Sequence, residues 1–221
     1  MASHLDLEEQ EQLDQLKHFW KQYGNLISGV VIVVCLGIVG HNGWNWWQRQ
    51  QSTQAAAMLE AAEGAARSGD LAALERSSAD LKSQFSGTAQ AQHALLLVAR
   101  VQQEQGKPDA AATALRWVSE QGSDEGLQAI ARLRLASLLV DQKAYDEALK
   151  VLGATVPASF SALVADRRGD VLMLQGRKDE ARTEYSRAFK GMESANEYRR
   201  LVEVKLNALG VDPASSAGPK S

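Results

Sequence analysis

The chain has 221 residues, 45% of them hydrophobic and 23% charged, with a formal net charge of -3. A nucleic-acid backbone is held by clustered Lys and Arg, and no basic excess is present, so nucleic acid is excluded as a partner. The lone cysteine, Cys35, excludes an internal disulfide, while scarce proline (4 residues) and abundant alanine favour helix and leave room for one medium domain.

Residues 1–21 read as a cytoplasmic amino-terminal segment. It is acidic in "DLEEQEQLD" (Asp6–Asp14), and Leu13, Leu16 and Trp20 then recur at helical spacing.

Residues 22–48 read as a transmembrane signal anchor. No Asp, Glu, Lys or Arg occurs between Lys21 and Arg49, and the centre of the interval is "LISGVVIVVCLGIV" (Leu26–Val39). A helix needs about 20 mainly apolar residues to cross a bilayer core. Phe19, Trp20 and Tyr23 precede the apolar run, and Trp44, Trp46 and Trp47 follow it. Amphipathic aromatic rings settle at headgroup level, so these residues are expected at the two interfaces with membrane lipid. "GHNGWNWW" (Gly40–Trp47) offers no small-x-small cleavage site, and Cys35 lies inside the apolar run rather than after a lipobox. Lys17 and Lys21 outweigh Arg49, which places the amino terminus in the cytoplasm. Gly29, Gly37, Gly40 and Gly43 fall within about a third of the helix circumference and form a candidate face for packing against another membrane helix.

Residues 49–209 read as a run of helices broken by short polar turns: "SGD" (68–70), "SGT" (86–88), "QGKPD" (105–109), "QGSDEG" (121–126), "DQKAYD" (141–146), "TVP" (155–157) and "QGRKDEA" (175–181). Arg134–Leu152 and Arg167–Tyr185 repeat at an offset of 33: Ala136 and Gly169 in a first helix, Ala148 and Ala181 opening a second, Leu152 and Tyr185 four residues on. Leu96–Leu115 fits the frame through Ala99, Ala111 and Leu115, and a degenerate earlier copy surrounds Ser68–Leu71. Small residues let two helices approach and a large one fills the groove between pairs, as in a tetratricopeptide repeat. The tryptophan of that pattern's first helix is missing, and so is the closing proline of most copies. The expected fold is therefore all-α: one transmembrane helix, then a tetratricopeptide-like antiparallel helical array. Leu96, Leu135, Leu138, Val171 and Leu174 are expected to shape it. Asn196–Leu209 would cap it by docking Tyr198, Leu201, Val204 and Leu206, and residues 210–221 read as a disordered tail.

No pattern for catalysis, cofactor or metal appears. His4, His18, His41 and His93 have no partner at metal-ligand spacing, and Gly106-Lys107 is no phosphate loop. Asp141, Asp146, Glu147, Asp179 and Glu180 are expected at turns and helix starts, where they favour the dipole. Arg167-Arg168 and Arg199-Arg200 are expected on solvated faces.

Three segments together resemble one family, the ancillary translocon subunits of Gram-negative bacteria of the YfgM type. They are Phe19–Gln51, Leu133–Leu152 and Val164–Arg182, "VADRRGDVLMLQGRKDEAR". The resemblance implies a single-pass protein of the bacterial inner membrane with a periplasmic array. It implies association with the SecYEG translocon and with a membrane-anchored periplasmic chaperone of the PpiD type. Newly translocated client polypeptides would be assisted, with a link to envelope stress regulation. The family pattern carries no catalytic residues. The other function considered is a scaffold or assembly factor for another envelope complex, without chaperone activity.

Overall fold

The computed structural model describes residues 7–193, 195 and 197–212; the side chains of 7–16, 19, 26 and 27 are not among them. The expected tail from 213 onward and the side chains of Leu13, Leu16 and Phe19 therefore lie outside the described residues, as does His4. Every regular element among the described residues is an α-helix: α1 (Leu7–Ser68), α2 (Leu71–Gln84), α3 (Ala89–Glu104), α4 (Pro108–Gln121), α5 (Glu125–Asp141), α6 (Tyr145–Leu152), α7 (Ala158–Leu174), α8 (Lys178–Gly191) and α9 (Glu197–Ala208). The chain forms two compact units, residues 1–50 and residues 51–221, with the division falling inside α1.

Local chemistry sets the helix boundaries in the second unit. Asp70, Thr88 and Asp124 each sit just before a helix and accept a hydrogen bond from the backbone N–H three residues on, at 2.9, 3.3 and 2.8 Å. Pro108 opens α4, where its missing N–H costs nothing. The carboxyl ends share one device. Gly69, Gly106, Lys143, Gly176 and Gly210 have left-handed backbone, at positions spaced 37, 37, 33 and 34 residues apart. At each, the next residue's N–H bonds to the carbonyl five back, as in Arg177 N to Leu172 O at 2.9 Å and Ala144 N to Leu139 O at 2.8 Å. This is the Schellman closure of a helix, and its recurrence fixes the period of the array better than any side-chain motif.

Consecutive helices pack against one another from α2 to α9, and α3 meets α5 as α5 meets α7. The odd-numbered helices are thus the first members of successive pairs, side by side. Neighbouring pairs are stitched by one repeated bond: Gln142 donates to Asp109 at 3.2 Å, and Gln175 donates to Asp146 at 2.8 Å. The larger apolar core runs from Ala55 to Val171, and a smaller one joins α7, α8 and α9 around Leu172, Tyr185, Val202 and Leu206.

The residues expected to meet within pairs are all buried: Ala99 and Ala111, Ala136 and Ala148, Gly169 and Ala181. Gly169 has no room for a side chain. A Cβ there would lie 2.5 Å from Cε1 of Tyr185, so the ring of α8 rests directly on the α7 backbone. Leu96, Leu135, Leu138 and Val171 are buried, but Leu174 is 56% exposed. Counted from Gly169 at 100° per residue, Leu174 lies on the side of α7 turned away from α8. The capping helix also differs from its expected register. Val202 and Leu206 are buried, whereas Leu201 (47%) and Val204 (63%) are exposed. Buried Val202 and Leu206, with half-buried Tyr198 four residues earlier, repeat every four residues and face α7 and α8.

Two substitutions at glycine separate steric from propensity effects. Gly169→Ala is expected to destabilise by about 1–3 kcal/mol through the Tyr185 overlap, while Gly64→Ala, whose Cβ meets nothing nearer than 4.0 Å, gains about 1 kcal/mol of helix propensity. Chemical denaturation followed by circular dichroism measures both. In the same assay Gly176→Ala costs about 1 kcal/mol at its left-handed turn, whereas Lys143→Gly raises stability by about 0.5 kcal/mol by relieving the same strain.

Candidate functional site

The first unit is the amino-terminal apolar helix. The stretch contains one helix long and apolar enough to cross a membrane, with a mean hydropathy of 2.1 over its best window and only 6% of that window buried. A soluble helix would hide such a surface, and this one exposes Val30 to Val34, Leu36, Ile38 and Val39. It is a membrane anchor. Gly29, Gly37, Gly40 and Gly43 have no atom within 4 Å of a built Cβ, so their side of the helix is open to a close neighbour. Trp20, Tyr23, Trp44, Trp46 and Trp47 are all exposed. Trp20 folds back over Gly24, and Trp44 leans on Trp47 with ring centroids 5.4 Å apart. Cys35 is exposed along the same helix.

In the second unit, a buried polar network holds α9. Asp166 is completely buried on α7. It accepts from the Tyr198 hydroxyl at 2.7 Å and from the Lys205 ammonium at 2.8 Å. Lys205 also donates to Asp170 at 2.6 Å, and Asp170 accepts from the Tyr185 hydroxyl at 2.8 Å. Two carboxylates, one ammonium and two phenols thus satisfy each other where α7, α8 and α9 meet, and Lys205 lies 5.2 Å above the Tyr185 ring. Burial, reinforced by the bond to Asp170, pushes the Tyr185 phenol well above its usual range. Burial and the bond to Asp166 do the same to Tyr198. None of this was legible in the sequence beyond Tyr198 as an apolar contact; the i, i+4 pair Asp166/Asp170 facing a lone lysine was the available signal.

The arginine pairs are not the solvated faces expected of them. Arg168 reaches Glu184 of α8 at 2.8 Å in a mostly buried ion pair, and Arg199 stacks 3.8 Å from the Phe189 ring while donating to its carbonyl. Arg167 pairs with Asp170 at 3.6 Å, and its Nε is buried without a hydrogen-bond partner. Only Arg200 is exposed. Asp146, Glu147, Asp179 and Glu180 stand in first turns as expected. Asp141 instead ends α5, where the dipole disfavours it.

A further surface appears when the first helices are aligned on their left-handed residues. Positions 16, 13 and 9 before that residue are Gln90, His93 and Leu97 on α3, Leu127, Ile130 and Arg134 on α5, and Phe160, Leu163 and Arg167 on α7. Each is exposed or half-buried, on the side away from the second helix. In stacked helical arrays this row forms the inner surface. Leu201, nine residues before Gly210, holds the same position on α9, and Leu174 lies on the same side of α7, which explains their exposure; Val204, six before Gly210, corresponds instead to Asp170. Among the described residues no group of His, Cys, Asp and Glu is arranged to hold a metal ion.

The phenols of the buried network give a pH dependence. A raised folded-state pKa means that stability is complete below the unfolded value, 10.0, and is lost as pH rises past it. Above pH 10 the folding free energy is expected to fall by up to about 1.4 kcal/mol per pH unit for each phenol. Replacing Tyr185 and Tyr198 by Phe lowers stability at neutral pH and flattens that alkaline limb, as denaturation at a series of pH values reads out.

Comparison with known proteins bears on the whole chain. A family model described as a tetratricopeptide repeat-like domain matches residues 17–211. Similar curated proteins are each named "Ancillary SecYEG translocon subunit". That of Neisseria gonorrhoeae is 32% identical over 95% of this chain and 100% of its own length. The Haemophilus influenzae protein is 30% identical over 92% of this chain and 98% of its own, and the Escherichia coli protein 27% over 92% and 97%. Anchor and array are therefore matched together, and the chain belongs to this tetratricopeptide repeat-like, YfgM-type family.

Proposed function

We propose that the protein is a membrane-tethered, non-catalytic binding subunit of the SecYEG translocon, whose array works on the periplasmic side of the inner membrane. The observation that carries this reading is the joint match of anchor and array to relatives named for that complex, end to end. The anchor, residues 22–48, crosses once with residues 1–21 in the cytoplasm, in keeping with Lys17 and Lys21 on that side. The domain from 49 to 209 meets newly translocated client polypeptides together with a membrane-anchored chaperone of the PpiD type, and its occupancy feeds envelope stress regulation. Tethering raises the effective concentration of the array near the channel, so weak contacts with clients suffice. The open glycine side at Gly37 and Gly40 is where a partner membrane helix approaches the anchor.

Photocrosslinkers placed at Gly37 and Gly40 in native membranes test this reading. Adducts with translocon subunits or with a periplasmic chaperone are expected. Adducts confined to an unrelated envelope complex would replace it with the scaffold function.

A further inference from the structure

The last interface of the array departs from the pattern that builds the others. Ten residues before the left-handed position stand Leu59 on α1, Leu96 on α3 and Leu133 on α5, each packed in the larger apolar core, but Asp166 on α7. Five residues before it stand Val101 on α3, Leu138 on α5 and Val171 on α7, all buried, but Lys205 on α9. The two departures meet each other: Lys205 Nζ lies 2.8 Å from Asp166 Oδ1. An ion pair thus stands at two positions where the rest of the array uses leucine and valine.

Such a pair adds little net stability. Taking both charges out of water costs about as much as their contact returns, and apolar residues of similar size are often as stabilising or more so. What the pair adds is register. Tyr198 and Lys205 are seven residues apart, about two turns, so both reach the single carboxylate of Asp166, at 2.7 and 2.8 Å. A slip of one turn would leave that carboxylate buried without its donors.

Little else holds α9. Its only completely buried side chains are Val202 and Leu206, while Leu201 and Val204 stand largely in solvent. Two further ties are polar or partly so: Arg182 donates to the Leu209 carbonyl at 3.0 Å, and Arg199 stacks on Phe189. α9 belongs to the smaller core alone, so its departure leaves the larger core, from Ala55 to Val171, intact. A segment with few buried apolar side chains opens at a free energy well below that of global unfolding.

We propose that α9 is a releasable latch on the end of the array: it opens as one unit while α2 to α6 stay folded, and the Asp166–Lys205 pair gives its closed state a single register rather than the greatest stability. The device is a property of the end of the array and does not depend on which complex the chain serves.

Hydrogen exchange of the full chain in zwitterionic nanodiscs, read by mass spectrometry at neutral pH, tests it. The amides of Val202–Ala208 are expected to exchange together, about 100-fold or more faster than those of α3 and α5. Lys205→Met, which strands the Asp166 carboxylate, is expected to speed exchange of α9 about tenfold and leave α3 and α5 unchanged. The triple variant Asp166→Leu, Tyr198→Phe, Lys205→Met restores the apolar chemistry of the other interfaces, and Asp170 keeps Tyr185 and Arg167 as partners. Its α9 is expected to exchange no faster than that of the unaltered chain, and up to about tenfold slower. Protection of α9 equal to that of α3 and α5 in the unaltered chain would overturn the latch. Faster exchange of α9 in the triple variant, with α3 and α5 unchanged, would overturn the role given to the ion pair. The unaltered chain decides the first point by itself, so a variant that fails to fold does not leave the latch undecided.

Discussion

The ring of Tyr185 packs directly on the backbone of Gly169, and the carboxyl-terminal half of the domain is organised around that contact. Because Gly169 carries no side chain, the ring reaches the α7 backbone, and its hydroxyl donates to Asp170, 2.8 Å away. Asp170 then holds Lys205 of α9, and Lys205 bridges to Asp166. One steric requirement, a missing Cβ, thereby places a network of charges that fastens the last helix. Removing one partner from such a network strands a buried charge, which is far costlier than losing an exposed pair. The network also constrains what α9 can be: it admits a lysine and a tyrosine in the buried stripe only because two carboxylates wait for them.

The same geometry divides each first helix into two sides with separate tasks. One is used up in packing, and Ala99, Ala136 and Gly169 belong to it. The other has no second helix over it, so its composition is free to serve binding. Exposed leucine and valine there leave apolar surface in water, which packing requirements alone do not explain. On α9 the division is sharpest. Val202 and Leu206 are completely buried beside Leu201 and Val204, which stand largely in solvent. α9 closes the core with one face and extends the inner row with the other.

Much of the fold could be read in the sequence because turns are local chemistry. The polar breaks at Ser68–Asp70, Gln105–Asp109 and Gln175–Ala181 coincide with helix ends, where Gly69, Gly106 and Gly176 adopt the left-handed backbone. The anchor was equally legible, since an uncharged interval flanked by aromatic residues is a property of composition. The break at Asp141–Asp146 is equally legible as a polar turn, although a lysine, Lys143, and not a glycine takes the left-handed position there. Facing was harder to read than position. Leu174, Leu201 and Val204 were assigned to packing because hydrophobicity alone does not say which side of a helix is covered. The carboxylate–lysine network was missed for a related reason: its members come from three helices, and their pairing depends on how α9 docks.

Alignment on the left-handed residues recovers what hydrophobicity misses, because a helix carries its azimuth from a fixed end at about 100° per residue. Once the ends are known, sequence positions in different repeats can be compared by face rather than by motif. Arg134 and Arg167 then occupy equivalent sites, yet only Arg167 has a carboxylate partner, Asp170, one turn on; the corresponding residue on α5 is Ser137. Asp170 is itself held by Tyr185 and Lys205, so α7 neutralises its arginine with a residue that the capping network already requires. On α5, which has no such network, Arg134 stands exposed with no ion pair among the described residues. The asymmetry between two repeats of one array is thus a consequence of where the array ends.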